Sequence, residues 1–316
     1  MIRRLAALWI GLCLCLCAIC TGLAEDAAEE IPLPADAPAE ARKLPIDFSP
    51  GMPVRQDKLA VNGYSDSTIR VTITSGRAYS CEYWVADIVI ADASQLRTLS
   101  PYGFDRGGEM DAARLAQHAN AVLAINGDYN DARGKRGYGV IIRQGEVYLN
   151  NLDEPSKWNT CLMDILLVDE DGDFHVLYRP QKGTEVETVG GKKVINAFTF
   201  GPVLVDDGKV VEKHNGADRY IDMVYDMKKQ RMCIAQVDHL HYKVICCAGP
   251  WYDSRGMTLL EFSKVVAEQG VRVAYNLDGG DSTVLMLNGV KQNSINVTTT
   301  RRLKDIIYFA SAEGAP

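Results

Sequence analysis

The stretch Tyr275-Asn276-Leu277-Asp278-Gly279-Gly280-Asp281-Ser282-Thr283 constrains this chain more than any other. The largely apolar run Val271–Leu277, with Arg272 and Asn276 inside it, has the length and β-branched content of a buried strand. Asp278 falls where that strand stops and the chain must turn. Gly279 and Gly280 permit positive φ and close approach to the backbone. Ser282 and Thr283 add hydroxyls before the chain becomes apolar again at Val284–Leu287. A carboxylate at a strand end, followed by glycines, suits an acid held rigidly at a pocket floor. The same residues also fit a tight hairpin whose aspartate caps its own turn.

A second stretch repeats this layout. Met110–Asn120 has a helical stripe of Ala113, Leu115 and Ala116. Ala121–Ile125 reads as a short buried strand, and Asn126-Gly127-Asp128 as a polar glycine turn. Two such turns are expected to meet at one edge of a sheet. Met232–Val237 is a further strand, ending at Asp238-His239, so Asp238 is expected to approach the same cleft.

Six blocks in order resemble the phosphodiester glycosidase family. Asn276–Gly280, Ser282 and Asn288-Gly289 match its Asn-Leu-Asp-Gly-Gly-Gly-Ser pattern, with Asp281 in place of the third glycine. Ala124–Tyr129 is similar to its Asn-Gly-Gly-aromatic block, and Gly201–Val205 to its Gly-Pro-Val-Leu block. Arg219 falls at its Arg-Thr-Ala-Ile-Gly block, although Tyr220–Met223 depart from it. Gly256–Leu259 is similar to its helix-opening block, and Arg301 to its late arginine. These blocks span about Asn62 to Ala310.

The resemblance implies an exported hydrolase that releases a sugar from a sugar-1-phosphodiester in an envelope or extracellular glycan. It implies Asp278 as the first chemical carboxylate; Asp128 and Asp238, which also end strand candidates, are further catalytic candidates, and a turn-capping role fits each of them equally. Arg219 and Arg301 become phosphate contacts, because guanidinium groups offer a fixed fork of donors. Asn126, Gly127, Asn276, Gly279, Gly280, Ser282 and Thr283 become substrate-binding candidates. Two readings compete with this one: a non-catalytic glycan-binding or envelope-structural module, and a metal-dependent phosphodiesterase.

The remaining features bound the class. The chain has 316 residues, 47% of them hydrophobic, which is enough for a sizeable core. A formal charge of −7 without a basic block argues against nucleic-acid binding. Arg3 and Arg4, the apolar run Leu5–Ile19 and the small residues near Ala24 read as an export signal over residues 1–24. If uncleaved, that segment is the chain's only expected membrane contact. Residues 25–61 are expected to form an Ala/Pro/Glu-rich tether, and 62–316 the folded domain.

Five cysteines lie beyond the signal: Cys81, Cys161, Cys233, Cys246 and Cys247. None has zinc-ribbon spacing, and buried small apolar residues or a disulfide both fit them. His239-Leu240-His241 places two imidazoles on one strand face, and Asp169–Asp173 superficially resembles a calcium loop. Both read better as structural or hairpin-turn residues, so neither cofactor nor metal is expected. Hairpin signals at Gln144-Gly145 and Asp206-Asp207-Gly208, and a capping box at Thr258 and Glu261, complete the pattern. The fold expected is α+β: a mixed, largely antiparallel sheet packed with a few helices in a single domain.

Overall fold

A computed structural model describes residues 43–128, 139–153, 164–212, 226–250, 254–293 and 301–315. Residues 33–316 form one compact unit. The expected export signal over residues 1–24, Arg219, Tyr129 and Cys161 lie outside the described residues.

Three sheets build the domain. The largest runs, in spatial order, β1 (Leu59–Ala60), β2 (Gly63–Ser65), β3 (Ile69–Ala78), β4 (Cys81–Ile90), β16 (His241–Cys247), β15 (Arg231–Asp238), β17 (Val273–Leu277), β13 (Val203–Asp206) and β14 (Lys209–Val210). The second runs β10 (Phe174–Leu177), β9 (Ile165–Asp169), β12 (Lys192–Thr199), β7 (Gly139–Arg143) and β8 (Glu146–Asn151), with β11 (Thr188–Val189) paired to β12. The third runs β19 (Val290–Lys291), β18 (Leu285–Leu287), β6 (Ala121–Asn126), β20 (Ile306–Ala310) and β5 (Leu96–Leu99).

Every pairing among the described strands is antiparallel. The expected mixture of strand directions is therefore not what these strands adopt. The helical share is also smaller than an α+β reading suggests. Two α-helices stand among the described residues, α1 (Ala112–His118) and α2 (Leu259–Ala267). The reason is local. Nine pairs of successive strands are joined as hairpins, and a short turn can join only antiparallel neighbours. Gln144-Gly145, Asp207-Gly208 and Asn288-Gly289 each place both residues at positive φ, the turn geometry that matches strand twist.

The strands that read as unbroken apolar runs are buried on both faces. In β20, Ile307 and Phe309 enter the main core while Ile306, Tyr308 and Ala310 pack on the opposite side with Leu115 and Ala116 of α1. In β9, Leu166 and Val168 face the main core, and Ile165 and Leu167 face a third cluster with Val140 and Ile142. Alternation with period two thus fills two cores from one strand. Helix α2 opens on a capping box. Thr258 accepts from the Glu261 N–H at 3.2 Å, and Glu261 accepts from the Thr258 N–H at 2.9 Å. Its apolar face, with Leu259, Phe262, Val265 and Val266, packs against β13 and β14.

The stretch before residue 62 is more than a tether. Leu44 is buried. Gly51 donates to the Ala119 carbonyl at 3.0 Å and Met52 to Ser311 at 3.1 Å. Arg97, fully buried, holds the carbonyls of Pro45, Asp47 and Ser49 at 2.8–3.0 Å. Composition alone misses this, because the anchoring groups are backbone carbonyls that any residue supplies.

Candidate functional site

Strand β17 ends at Leu277 in the large sheet, and β18 starts at Leu285 in the third. The signature segment is therefore the crossing from one sheet to another. Beside it ends β6, whose Asn126 pairs with Ile306 at the start of β20. The two polar glycine turns do meet, but from two different sheets rather than along one edge.

Asn126 makes the join. Its Nδ2 donates to the Asp278 carbonyl at 2.9 Å and to the Gly127 carbonyl at 3.0 Å, and its Oδ1 accepts from the Val284 N–H at 3.3 Å. Gly127 is packed so closely that a Cβ there would lie 2.1 Å from Asp305 Oδ1. A Cβ on Gly279 would sit 2.6 Å from the Gln230 carbonyl oxygen, which also accepts the Gly280 N–H at 3.1 Å. Gly280 has φ +58°, whereas Asp281 keeps ordinary negative φ. The family's third glycine is thus replaced here without backbone strain. The Asp281 carbonyl accepts the Arg301 N–H at 3.2 Å, which ties the late arginine to the turn.

Asp278 is partly exposed, at the end of an interior strand. Burial pushes its carboxyl above the usual carboxylate range, and the negative charge of Asp128 adds to the rise. The Ser282 hydroxyl, the Arg301 charge and the Gly279 N–H pull the other way. Ser282 Oγ, although near Asp278, makes no close hydrogen bond, and neither do Thr283 Oγ1 and Asn276 Oδ1. These three buried signature-segment oxygens lack the partners that such groups ordinarily have. Asn276 is held through its other end, Nδ2 donating to the Gly201 carbonyl at 2.8 Å.

Asp128 is placed differently. Its side chain is 2% exposed, with Oδ1 2.8 Å from Arg143 Nη2 and Oδ2 accepting from the Thr199 N–H at 2.9 Å. Arg143 itself is fully buried between the rings of Phe104 and Phe198, whose centroids lie 5.5 and 4.5 Å from its guanidinium carbon. It also donates to the carbonyls of Ile142 and Ala197 and reaches Asp305 at 3.4 Å. Strands β7 and β12 of the second sheet carry Arg143 and Thr199, so all three sheets meet here.

Asp238 does not join them. Strands β15 and β17 are antiparallel, with Met232 opposite Leu277. Asp238 therefore lies at the other end of the sheet, roughly 20 Å along the strand. It is exposed, and its carboxylate accepts the His239 N–H at 2.8 Å. A strand-end aspartate reads alike at either end of a sheet; only the pairing direction separates them. His239 and His241 address different carboxylates, Asp173 at 3.3 Å and Asp87 at 3.0 Å.

Arg143, Thr199 and Asp305 were not evident from the sequence. Arg143 ends the apolar run Val140-Ile141-Ile142, and Asp305 immediately precedes Ile306–Ala310. A charge abutting a fully apolar strand is the signal that marks both.

These features define a class: largely antiparallel β domains that bring carboxylate-bearing turns together at a sheet junction, an arrangement suited to glycoside hydrolysis. Comparison with known proteins makes the class specific. The phosphodiester glycosidase family model matches residues 119–310, and the chain belongs to that family. The fold is similar to the catalytic domain of zebrafish N-acetylglucosamine-1-phosphodiester alpha-N-acetylglucosaminidase, auto-inhibited by its pro-peptide. The TM-score is 0.61 at 18% identity, over 77% of this chain and 83% of that one. A hypothetical protein from Synechocystis aligns with a TM-score of 0.49 at 16% identity, over 76% and 62% of the two chains. No curated protein matches the chain in sequence comparison.

Proposed function

We propose that this protein is an exported hydrolase that cleaves a sugar from a sugar-1-phosphodiester in an envelope or extracellular glycan, with Asp278 as the reacting carboxylate. The observation that carries this reading is the Asp278 environment. It is the partly exposed carboxylate of the junction, its value is raised by burial and by Asp128, and the Ser282 hydroxyl stands beside it.

Breaking the anomeric C–O bond builds positive charge on the sugar, while the phosphate departs already charged. Such a leaving group needs little protonation. What the reaction needs is a base to take the proton from an attacking water, and a base works best with a value lifted towards the working pH. Asp278 fits that role. Both oxygens of Asp128 are already engaged, so Asp128 acts as a fixed charge that raises Asp278 and favours the cationic sugar. Ser282, Thr283 and Asn276 supply oxygens for the sugar hydroxyls, and Arg301 supplies charge for the phosphate. Arg219 joins Arg301 in this proposal from its sequence position alone.

A product-resolved screen of sugar-1-phosphodiesters tests the reading. Free sugar plus a phosphomonoester supports it. Sugar phosphate would indicate P–O cleavage, and absence of turnover across the screen would favour a binding module.

Replacing Arg301 gives a sharper check. Its positive charge lowers the Asp278 carboxyl, so Arg301→Ala should move the acid limb of the kcat/KM profile to higher pH. The same change should weaken a phosphodiester substrate by roughly 1.5–3 kcal/mol, about 10- to 150-fold. A neutral aryl glycoside should lose much less. An unmoved acid limb together with equal losses on both substrates would remove Arg301 from the site.

A further inference from the structure

The junction that holds Asp278 lies at one end of the third sheet, where Leu99, Asn126 and Ile306 stand level on β5, β6 and β20. Two residues past Leu99 the chain reaches Pro101, and the loop that follows is bound back to this same end. Ser100 Oγ donates to the Lys304 carbonyl at 2.9 Å, and Met110 exchanges backbone hydrogen bonds with Leu303 at 2.9 and 2.8 Å. Leu303 is two residues beyond Arg301, whose N–H meets the signature turn. Helix α1 then runs away from the junction to His118, and β6 returns to it. A cleft of about 490 Å³ opens along this helix, lined by Pro101, Met110, Arg114, Leu115, Gln117 and His118. Its Pro101–Met110 end is therefore at the junction, and its His118 end lies roughly two helical turns away.

Arg114 and His118 stand one helical turn apart, so both side chains lie on the same face of α1. Both are exposed, and among the described residues neither side chain is engaged in an ion pair or hydrogen bond. None of the six lining residues is acidic, in a chain of net charge −7. The neighbouring Asp111 carboxylate is turned into its own helix end, where it accepts the N–H groups of Ala113 and Arg114 at 2.9 and 3.3 Å. Arg114 offers a fixed fork of N–H donors, and His118 a ring N–H in either protonation state. Leu115 is buried, and Pro101 and Met110 are half-buried, which gives the cleft an apolar floor. Donors without acceptors above an apolar floor suit a ligand that carries anionic oxygens on a sugar or polyol backbone.

We propose that this cleft is an extension subsite that holds the next phosphodiester unit of a polymeric substrate, so that the protein acts on phosphodiester-linked chains rather than on isolated sugar phosphodiesters. This rests on the hydrolase reading above and deepens it. Arg301 serves the diester that is cut, and Arg114 with His118 serves its neighbour. A chain of phosphodiesters carries a negative charge at every link, which matches cations set at intervals along a groove. Each exposed charge contact contributes modestly. Two subsites filled by one ligand gain from the effective concentration that the linkage supplies. The gain therefore appears only with a ligand long enough to span both.

Titration calorimetry of the full chain with two probes tests this: a six-unit glycerol phosphate oligomer, and diglycerol phosphate with its single phosphodiester. The oligomer should bind more tightly than its number of links alone explains. The double variant Arg114→Gln, His118→Gln should lose roughly tenfold on the oligomer, the effect of two partly exposed charge contacts. It should lose much less on the single diester, and the loss on the oligomer should shrink as salt is raised. A second double variant, Lys58→Gln, Lys264→Gln, removes two exposed cations elsewhere and should bind the oligomer like the wild type. Wild-type oligomer binding by the first variant, equal losses on both probes, or an equal loss in the second variant would overturn the proposal. Turnover separates this inference from the hydrolase reading. On oligomers of a phosphodiester that the protein cleaves, the first variant should raise KM with kcat kept. The expected binding pattern without turnover on any phosphodiester would keep the cleft assignment and remove the hydrolysis.

Discussion

Asp278→Asn should reduce turnover of a cleavable phosphodiester on the order of 10²-fold or more, the scale of a lost general base. The substitution keeps the size of the side chain and its ability to accept hydrogen bonds. Only the exchangeable charge is lost. Stability should move the other way. The Asp278 carboxyl is raised in the folded protein, so ionising it opposes folding. That cost is absent below the unfolded-chain value, grows as pH rises from there to the folded value, and stays constant above it. The Asn variant should therefore melt at or above the wild type near neutral pH, with the gap closing in acid. Parallel pH-dependent melting and turnover measurements check both halves. Wild-type turnover in the Asn variant would remove this carboxylate from the reaction. A variant that is poorly folded but fully active per folded molecule would make Asp278 a turn cap.

Arg143→Ala should have the opposite character: a large loss of stability first, and of activity as a consequence. The guanidinium is fully buried, and its removal leaves Asp128 and Asp305 in the junction without the opposing charge. Breaking a buried pair from one side costs about 3–5 kcal/mol, or roughly 10 °C in Tm for a domain of this size. Arg143→Met combined with Asp128→Asn removes both charges and should recover part of that stability. It should not restore turnover, because the fixed charge beside Asp278 is gone. Differential scanning calorimetry of the three proteins gives the comparison. A single Arg143→Ala variant that melts like the wild type would show that the junction does not depend on this pair.

Asp278 and Asp128 show what local pattern can reveal. Each follows an apolar run and adjoins glycine, so the chain announces a carboxylate at a rigid strand end before any fold is known. The hairpins at Gln144-Gly145 and Asp207-Gly208 and the Thr258–Glu261 capping box are legible for the same reason. Their physics is contained within four residues. Asp238 has a similar local signature, yet it stands at the far end of the sheet. Arg143 abuts a fully apolar strand, which marks it as unusual, but its role lies in Asp128, Phe198 and Asp305, which only the fold brings to it.

The sequence by itself determined the strand ends, the turns and the order of the family blocks, because periodicity, glycine conformation and capping are short-range. Tertiary structure alone decided which strand ends share a place. The signature crosses from one sheet to another, and Asn126 bridges the two turns through a hydrogen bond between residues 152 positions apart. Tertiary structure also decided the strand directions, the depth at which the 44–52 segment packs, and the burial that raises Asp278. These depend on long-range pairing and on the removal of water around a group. Neither is a property of any residue's neighbours along the chain.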